Sequence, residues 1–325
     1  MTKYKILEIL RNREGEYISG EILSEQLNIS RTAVWKGIHS LKEKGYKIEG
    51  INNKGYRFLE DAADNISKYE IEKKLADNKL WNNVYCFETI DSTNNYAKKD
   101  IEKLFHGDII IADEQLKGRG RMDKVFYSPK ESGIYMTFIL KENIFPDSIK
   151  LLSLGISNAV CRAIEEETGI IPELTWNDIR VGEKKVCGIL TEYSVEVETG
   201  KAEYLIVGIG INVNNTEFPK ELRDKVTSLR IFSGQEINRK NLIISILNEI
   251  EKIVQNKKYI SQRKKILYEY MERAKLLNKK VEVKVIDKKI IGTVRGINDR
   301  GGLIIIKENG RKEIIYNGEL KGAEN

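Results

Sequence analysis

The sequence predicts a multidomain α+β protein with three parts. Short helical stripes ending in two strands fill residues 1–60, and a longer middle region mixes strands and helices without strict βαβ alternation. After residue 279 only short strands and Gly/Asn/Asp turns remain. A chain of 325 residues is long enough to bury cores in each part.

In the first part, Leu7 and Leu10 belong to a helix ending near Asn12 to Gly15. Ser19 is placed to cap a second helix with Ile22, Leu23 and Leu27 on its inner face. After the turn Asn28-Ile29-Ser30, Ser30 caps a third helix whose Val34, Ile38 and Leu41 recur at helical spacing. Its other face carries Arg31, Thr32, Trp35, Lys36 and His39. Polar and basic side chains near a capped helix N-terminus suit a base-reading helix in a major groove. Strands at Tyr46 to Ile51 and Gly55 to Leu59, joined through Lys54, complete a winged helix-turn-helix. Ser30 and Lys54 join the five helix residues as the expected DNA contacts. A solvated basic face on an ordinary three-helix module is the alternative.

The charge distribution agrees with a modular chain. Of a net +6, residues 1–60 contribute +3 and residues 279–322 contribute +5, leaving the middle near neutral. Three dispersed cysteines make neither a disulfide framework nor a zinc motif, and a reducing cytoplasm is the simplest compartment. No apolar run approaches the roughly 20 residues that span a bilayer, and the N-terminus lacks a signal-peptide pattern. With only two histidines, His39 and His106, chemistry is expected to rest on positioning and charge.

In the middle part a helix is expected from Ser67 to Asn78, then a strand at Val84 to Phe87. Ser92 or Thr93 could simply cap a helix running from Asn94 to Leu104. The apolar run Ile109 to Ala112 reads as a buried strand that feeds Asp113 to Met122, where Gly118-Arg119-Gly120-Arg121 alternates glycine with arginine. Glycine lets the backbone approach a ligand, and arginine presents a planar fork to carboxylate or phosphate. Gly133 to Leu140 is a strand, and Leu152, Ile156, Val160 and Ile164 mark a helix closed by Gly169. Strands at Lys184 to Tyr193 and Glu203 to Val213 are expected to pair antiparallel, followed by helices at Asn241 to Gln255 and Gln262 to Leu276. Strands at Val281 to Ile286, Ile290 to Ile297, Leu303 to Lys307 and Lys312 to Tyr316 predict a small barrel separate from the central domain.

Four motifs stand out in the central part: Asp91-Ser92-Thr93-Asn94; Gln115 with Gly118-Arg119-Gly120-Arg121; Lys185-Val186-Cys187-Gly188-Ile189-Leu190; and Gly208-Ile209-Gly210-Ile211-Asn212-Val213. In this order behind a winged helix, they make the chain resemble the bifunctional biotin–protein ligase and biotin-operon repressor family. The resemblance implies a winged helix at residues 1–62, a class II synthetase-like α+β ligase domain at 63–274 and an SH3-like β-barrel at 275–322. It implies coupling of biotin with ATP and Mg²⁺ into biotinyl-5′-AMP, then transfer to a lysine of a biotin carboxyl carrier protein. The adenylate is also expected to act as corepressor, on a homodimer bound to operator DNA, with no membrane involved.

The same resemblance assigns Ser92, Thr93, Asn94 and Gln115 to the biotin pocket. Arg119, Gly120 and Arg121 become a loop over biotin and the adenylate, and Lys185 sits beside the biotin carboxylate and phosphate. Arg119, Arg121, Lys124, Asn177, Asp178 and Asn212 are implied at the nucleotide, with Asp178 also a Mg²⁺ ligand; Arg121 and Lys185 are implied as catalytic. The sequence departs from the family pattern twice. Leu174-Thr175-Trp176-Asn177-Asp178 stands where the family has Lys-Trp-Pro-Asn-Asp. Met122-Asp123-Lys124-Val125-Phe126 follows the glycine-arginine core, with Lys124 as a compensating cation and Phe126 as the aromatic face. Two other readings remain open at this stage: a biotin-sensing regulator with weak or lost ligase activity, and a lipoate ligase relative.

Overall fold

The computed structural model describes residues 2–61, 64, 66–120, 124–142, 144–175, 178–285, 288–316 and 318–324. The chain forms two compact units, Met1–Glu70 and Ile71–Asn325.

The first unit holds α1 (Thr2–Asn12), α2 (Gly20–Leu27), α3 (Arg31–Glu43) and the hairpin β1 (Lys47–Ile51) and β2 (Gly55–Glu60). Ser19 Oγ accepts from the Ile22 amide and Ser30 Oγ from the Ala33 amide, so both expected caps form. Val34, Ile38 and Leu41 are buried with Leu7, Leu10 and Leu23 in one core. Ile22 departs from expectation: it is exposed, because only Leu23 of its turn faces α3 and α1.

The second unit begins after the first turn of α4 (Lys68–Lys74), a shorter helix than Ser67 to Asn78 because its last turn gives way at Leu75 to turns. Its sheet has seven strands: β3 (Val84–Ile90), β4 (Ile109–Gln115), β5 (Gly133–Leu140), β6 (Glu173–Leu174), β7 (Asp178–Val181), β8 (Lys184–Val195) and β9 (Ala202–Asn212), in spatial order β3-β4-β5-β9-β8-β7-β6. β3 and β4 are parallel around α5 (Thr93–Lys99), and every other pairing is antiparallel, including the expected β8–β9 ladder. The helix expected from Asn94 to Leu104 is split: α5 ends at Lys99, and Ile101–Lys103 is a separate 3-10 turn. β6 and β7 are additional to the expected strands.

Long helix α6 (Pro146–Thr168) opens with Pro146 in its first turn and closes on Gly169 at φ 69°. After the short α7 (Leu229–Ser233), it packs with α8 (Arg239–Val254) and α10 (Arg263–Ala274), with α9 (Lys258–Ser261) between them. Partly buried ion pairs tie this layer: Arg162 Nε donates to Glu249 at 2.5 Å and Arg273 Nη1 to Glu165 at 2.5 Å. The opposite sheet face is covered only in part. Ala97, Ile101 and Leu104 pack on Ile110, Ile139 and Ile206, and the rest of that face is left as the floor of a cavity.

The terminal strands β10 (Lys280–Val285), β11 (Lys288–Ile297), β12 (Leu303–Ile306), β13 (Lys312–Ile315) and β14 (Glu319–Glu324) form an antiparallel sheet in the order β13-β12-β11-β10-β14. β14 was not expected. No pairing between the edge strands β13 and β14 is found among the described residues, so a five-stranded sheet is seen and its closure into a barrel is not. It falls in the same compact unit as the seven-stranded sheet, and Lys284, Ile290 and Tyr316 line the same cavity as the central motifs.

Candidate active site and nucleic-acid interface

Strand register builds the floor of this cavity. Thr137 of β5 pairs with Gly208 of β9, and Gly208 pairs with Leu190 of β8. The next row runs Tyr135, Gly210, Gly188 and Asp178 across four strands. Glycine is required twice here. A Cβ at Gly208 would stand 2.1 Å from Asn94 Oδ1, and one at Gly210 would stand 2.8 Å from Phe126 Cε1. The glycines therefore leave room for an amide and an aromatic ring.

At one end lies a buried polar cluster. Ser92, Thr93 and Asn94 are 1%, 3% and 4% exposed, a depth polar side chains reach only with partners. Gln115 Oε1 accepts from the Thr93 amide at 2.9 Å, while Gln115 Nε2 donates to Ser128 Oγ at 3.0 Å. Thr137 Oγ1 donates to Asn94 Oδ1 at 2.7 Å and stands 2.7 Å from Thr93 Oγ1. Ser92 occupies the N-cap position of α5, but its side chain makes no capping bond, so the simple capping role is not what buries it. Asn94 Nδ2 donates to Glu192 Oε2 at 3.1 Å.

Glu192 is a site residue that sequence reasoning missed. It also receives Lys98 Nζ at 3.0 Å and Arg119 Nη1 at 3.2 Å. Burial alone would raise its pKa, but hydrogen bonds from Asn94 and Lys98 and the charge of Arg119 outweigh burial and hold it below the usual glutamate range. Thr137 was missed as well. A lone hydroxyl in the otherwise apolar buried strand Gly133–Leu140 was the available signal.

The glycine-arginine loop folds back on itself. The Gly120 amide donates to Lys124 O at 2.7 Å, the Phe126 amide donates to Gly118 O at 2.9 Å, and Arg119 bridges Val125. Arg121, Met122 and Asp123, and likewise Trp176 and Asn177, lie outside the described residues.

At the other end Lys185 Nζ pairs with Asp178 Oδ1 at 2.7 Å, and Lys185 is held by backbone bonds to Lys225 and Thr227. Asn212 is buried and donates through Nδ2 to Thr227 O at 3.1 Å. Thus Ser92, Thr93, Asn94, Gln115, Arg119 and Gly120 line one cavity, as do Lys124, Asp178, Lys185 and Asn212. Its volume is about 1220 Å³, more than the roughly 300–1,000 Å³ of sites for one drug-sized ligand. Among its described lining, eight Lys and Arg stand against three acids, so its character is anion-binding. Among the described residues no group of three or more His, Cys, Asp or Glu is arranged to hold a metal.

In the first unit, α3 presents Arg31, Thr32, Trp35, Lys36 and His39 to solvent, with Ser30 capping it. Trp35 is 56% exposed and stacks on His39 with ring centroids 5.4 Å apart. Arg31 is paired with Glu21. Lys54, at the hairpin tip, stands 5.9 Å from the Tyr17 ring centroid.

A helix-turn-helix unit followed by a cation-lined, glycine-floored α+β site defines a DNA-binding ligase, and comparison with known proteins agrees. Residues 2–57 match the HTH domain model, 86–212 the biotin/lipoate A/B protein ligase family, and 276–319 the biotin protein ligase C-terminal domain. The chain belongs to the bifunctional biotin–protein ligase and repressor family. It is 33% identical over 323 residues to the bifunctional ligase/repressor BirA of Bacillus subtilis, covering 97% of each chain. It is 27% identical to BirA of Escherichia coli, covering 98% of this chain and 97% of that one. The biotin protein ligase of Aquifex aeolicus in complex with biotin and ATP superposes with a TM-score of 0.63 at 32% identity, over 74% of this chain and 98% of that one.

Proposed function

We propose that this chain joins biotin to ATP as biotinyl-5′-AMP, passes the biotinyl group to a lysine of a biotin carboxyl carrier protein, and represses biotin genes as an adenylate-bound dimer. The observation that carries the enzymatic reading is the continuity of one cavity from the buried seat at Thr93, Asn94 and Gln115 to the Lys185–Asp178 pair.

The residues divide the task. Ser92, Thr93, Asn94 and Gln115 hold the polar head of biotin, their buried donors and acceptors being already aligned. Lys185 lies where the biotin carboxylate meets the α-phosphate, offsetting the repulsion of two anions. Asn212 and Lys124 face the nucleotide, and Asn177 is assigned with them. Arg119, Gly120 and Arg121 cover the product and exclude water from the mixed anhydride. Mg²⁺ supplies charge neutralisation at the phosphates when bound with ATP; Asp178 is the carboxylate assigned to it, and phosphate oxygens complete such a site. The exposed face of α3 with Ser30 and Lys54 meets operator DNA, and the adenylate serves as corepressor.

The test is biotin-dependent ATP–pyrophosphate exchange together with labelling of a biotin carrier domain. Folded protein that shows neither activity would remove the enzymatic reading, whereas normal biotin binding without turnover would leave a biotin-sensing regulator.

A further inference from the structure

Arg180 was not singled out in the sequence, yet it occupies the outer end of the cavity. It lies on β7 two residues beyond Asp178, so both side chains share the cavity face, while Ile179 and Val181 between and after them are 1% and 3% exposed and pin the strand. In the ladder it stands opposite Lys185. The guanidinium is anchored: Nη1 donates to the Glu183 carbonyl at 2.7 Å across the hairpin turn. Its Nε is buried and has no acceptor among the described residues. A buried donor without an acceptor is unfavourable in an empty pocket and becomes an asset when an anion arrives.

Charge at this end points the same way. Lys185 is neutralised by Asp178 and Lys275 by Glu173, whereas Arg180 has no carboxylate partner among the described residues. Sheet order then sets a sequence of positions: the buried seat lies on the β4–β5 side, Lys185 on β8, and Arg180 on β7 beyond it. A ligand that places a carboxylate near Lys185 and extends outward would present its most remote charge to Arg180.

We propose that Arg180 binds the β- and γ-phosphates of the nucleotide and receives the departing pyrophosphate, an inference that rests on the ligase reading above. In that step a biotin carboxylate oxygen forms a bond to the α-phosphorus. The bond from that phosphorus to the bridging oxygen of the β-phosphate breaks, and its electron pair leaves with pyrophosphate. Negative charge therefore grows on the leaving group, where a fixed planar fork stabilises it more than a mobile ammonium does.

The experiment compares Arg180→Gln and Arg180→Lys with the full-length wild-type chain. Inorganic pyrophosphate and biotin are titrated by calorimetry, and KM for ATP is taken from the exchange reaction. Arg180→Gln is expected to weaken pyrophosphate and raise KM for ATP about tenfold or more, with the biotin Kd unchanged and Arg180→Lys intermediate. Wild-type pyrophosphate affinity in either folded variant, or equal losses for biotin and ATP, would overturn the assignment. If the wild type exchanges nothing, the ligase reading fails instead, and the pyrophosphate titration still decides whether Arg180 is an anion site.

Discussion

Arg119 Nη1 stands 3.2 Å from Glu192 Oε1, and the other oxygen of that carboxylate accepts from Asn94 Nδ2 at 3.1 Å. One anion thus joins the glycine-arginine loop to the buried seat. Glu192→Gln removes the charge while keeping the shape, leaving Arg119 without its ion pair and Asn94 with a neutral acceptor. Biotin affinity is expected to fall about tenfold, equivalent to about 1.4 kcal/mol, with ATP affinity unchanged. Biotin calorimetry on the folded variant checks this; an unaltered Kd detaches Glu192 from the seat.

The glycine at 208 is held by a different constraint. Its missing Cβ is occupied by Asn94, at 2.1 Å from Oδ1, inside a cluster where Asn94 also meets Thr137. Gly208→Ala must push Asn94 out of the seat or bend β9. Strain of this kind costs about 1–3 kcal/mol, and biotin binding should suffer more than pyrophosphate binding. Parallel titrations decide: equal losses for both ligands indicate a general collapse of the sheet.

Much of this architecture is legible in local signals. Ser19 and Ser30 cap as their positions suggest, Gly169 closes α6, and β8 pairs with β9 as the turn between them requires. The glycine-arginine loop and the motif at Ser92 are also recognisable from residue type, and they do meet in one cavity. Thr137, Glu192 and Arg180 are not legible in that way. They lie on three strands, and the Asn94–Glu192 bond spans 98 residues of sequence. Only the order β5-β9-β8-β7 brings them to one face, and that order depends on tertiary pairing. The five-stranded terminal sheet shows the opposite limit: alternation finds four of its five strands but does not say whether the edges meet.

On α3, Lys36 and Arg31 are not equivalent. Arg31 is already paired with Glu21, so part of its charge is compensated before DNA arrives, whereas Lys36 is exposed and has no ion pair among the described residues. Lys36→Ala is expected to weaken operator binding more than Arg31→Ala and to reduce the salt slope by about 1, leaving adenylate synthesis intact. Binding measured across a range of salt concentrations checks this; an unchanged slope for Lys36→Ala places that lysine outside the interface.

Glu249 sets an acid limit on the larger unit. The side chain is 9% exposed and accepts from Arg162 Nε at 2.5 Å, with Lys252 on its other oxygen. Burial by itself would raise its pKa, but hydrogen bonds from Lys252 and Arg162 prevail and lower it. A carboxyl whose folded pKa lies below its unfolded value binds fewer protons when folded. Its stabilisation is therefore complete above the ordinary glutamate range, near about 4.3, and is lost as pH falls through the depressed folded value. Glu249→Gln, which leaves Arg162 with Glu269 alone, should destabilise the unit by about 1–3 kcal/mol at neutral pH. Urea unfolding of both proteins should show this gap narrowing as pH falls through the depressed value. A gap that stays constant down to pH of about 2 would mean that the loss comes from packing rather than from the charge of Glu249.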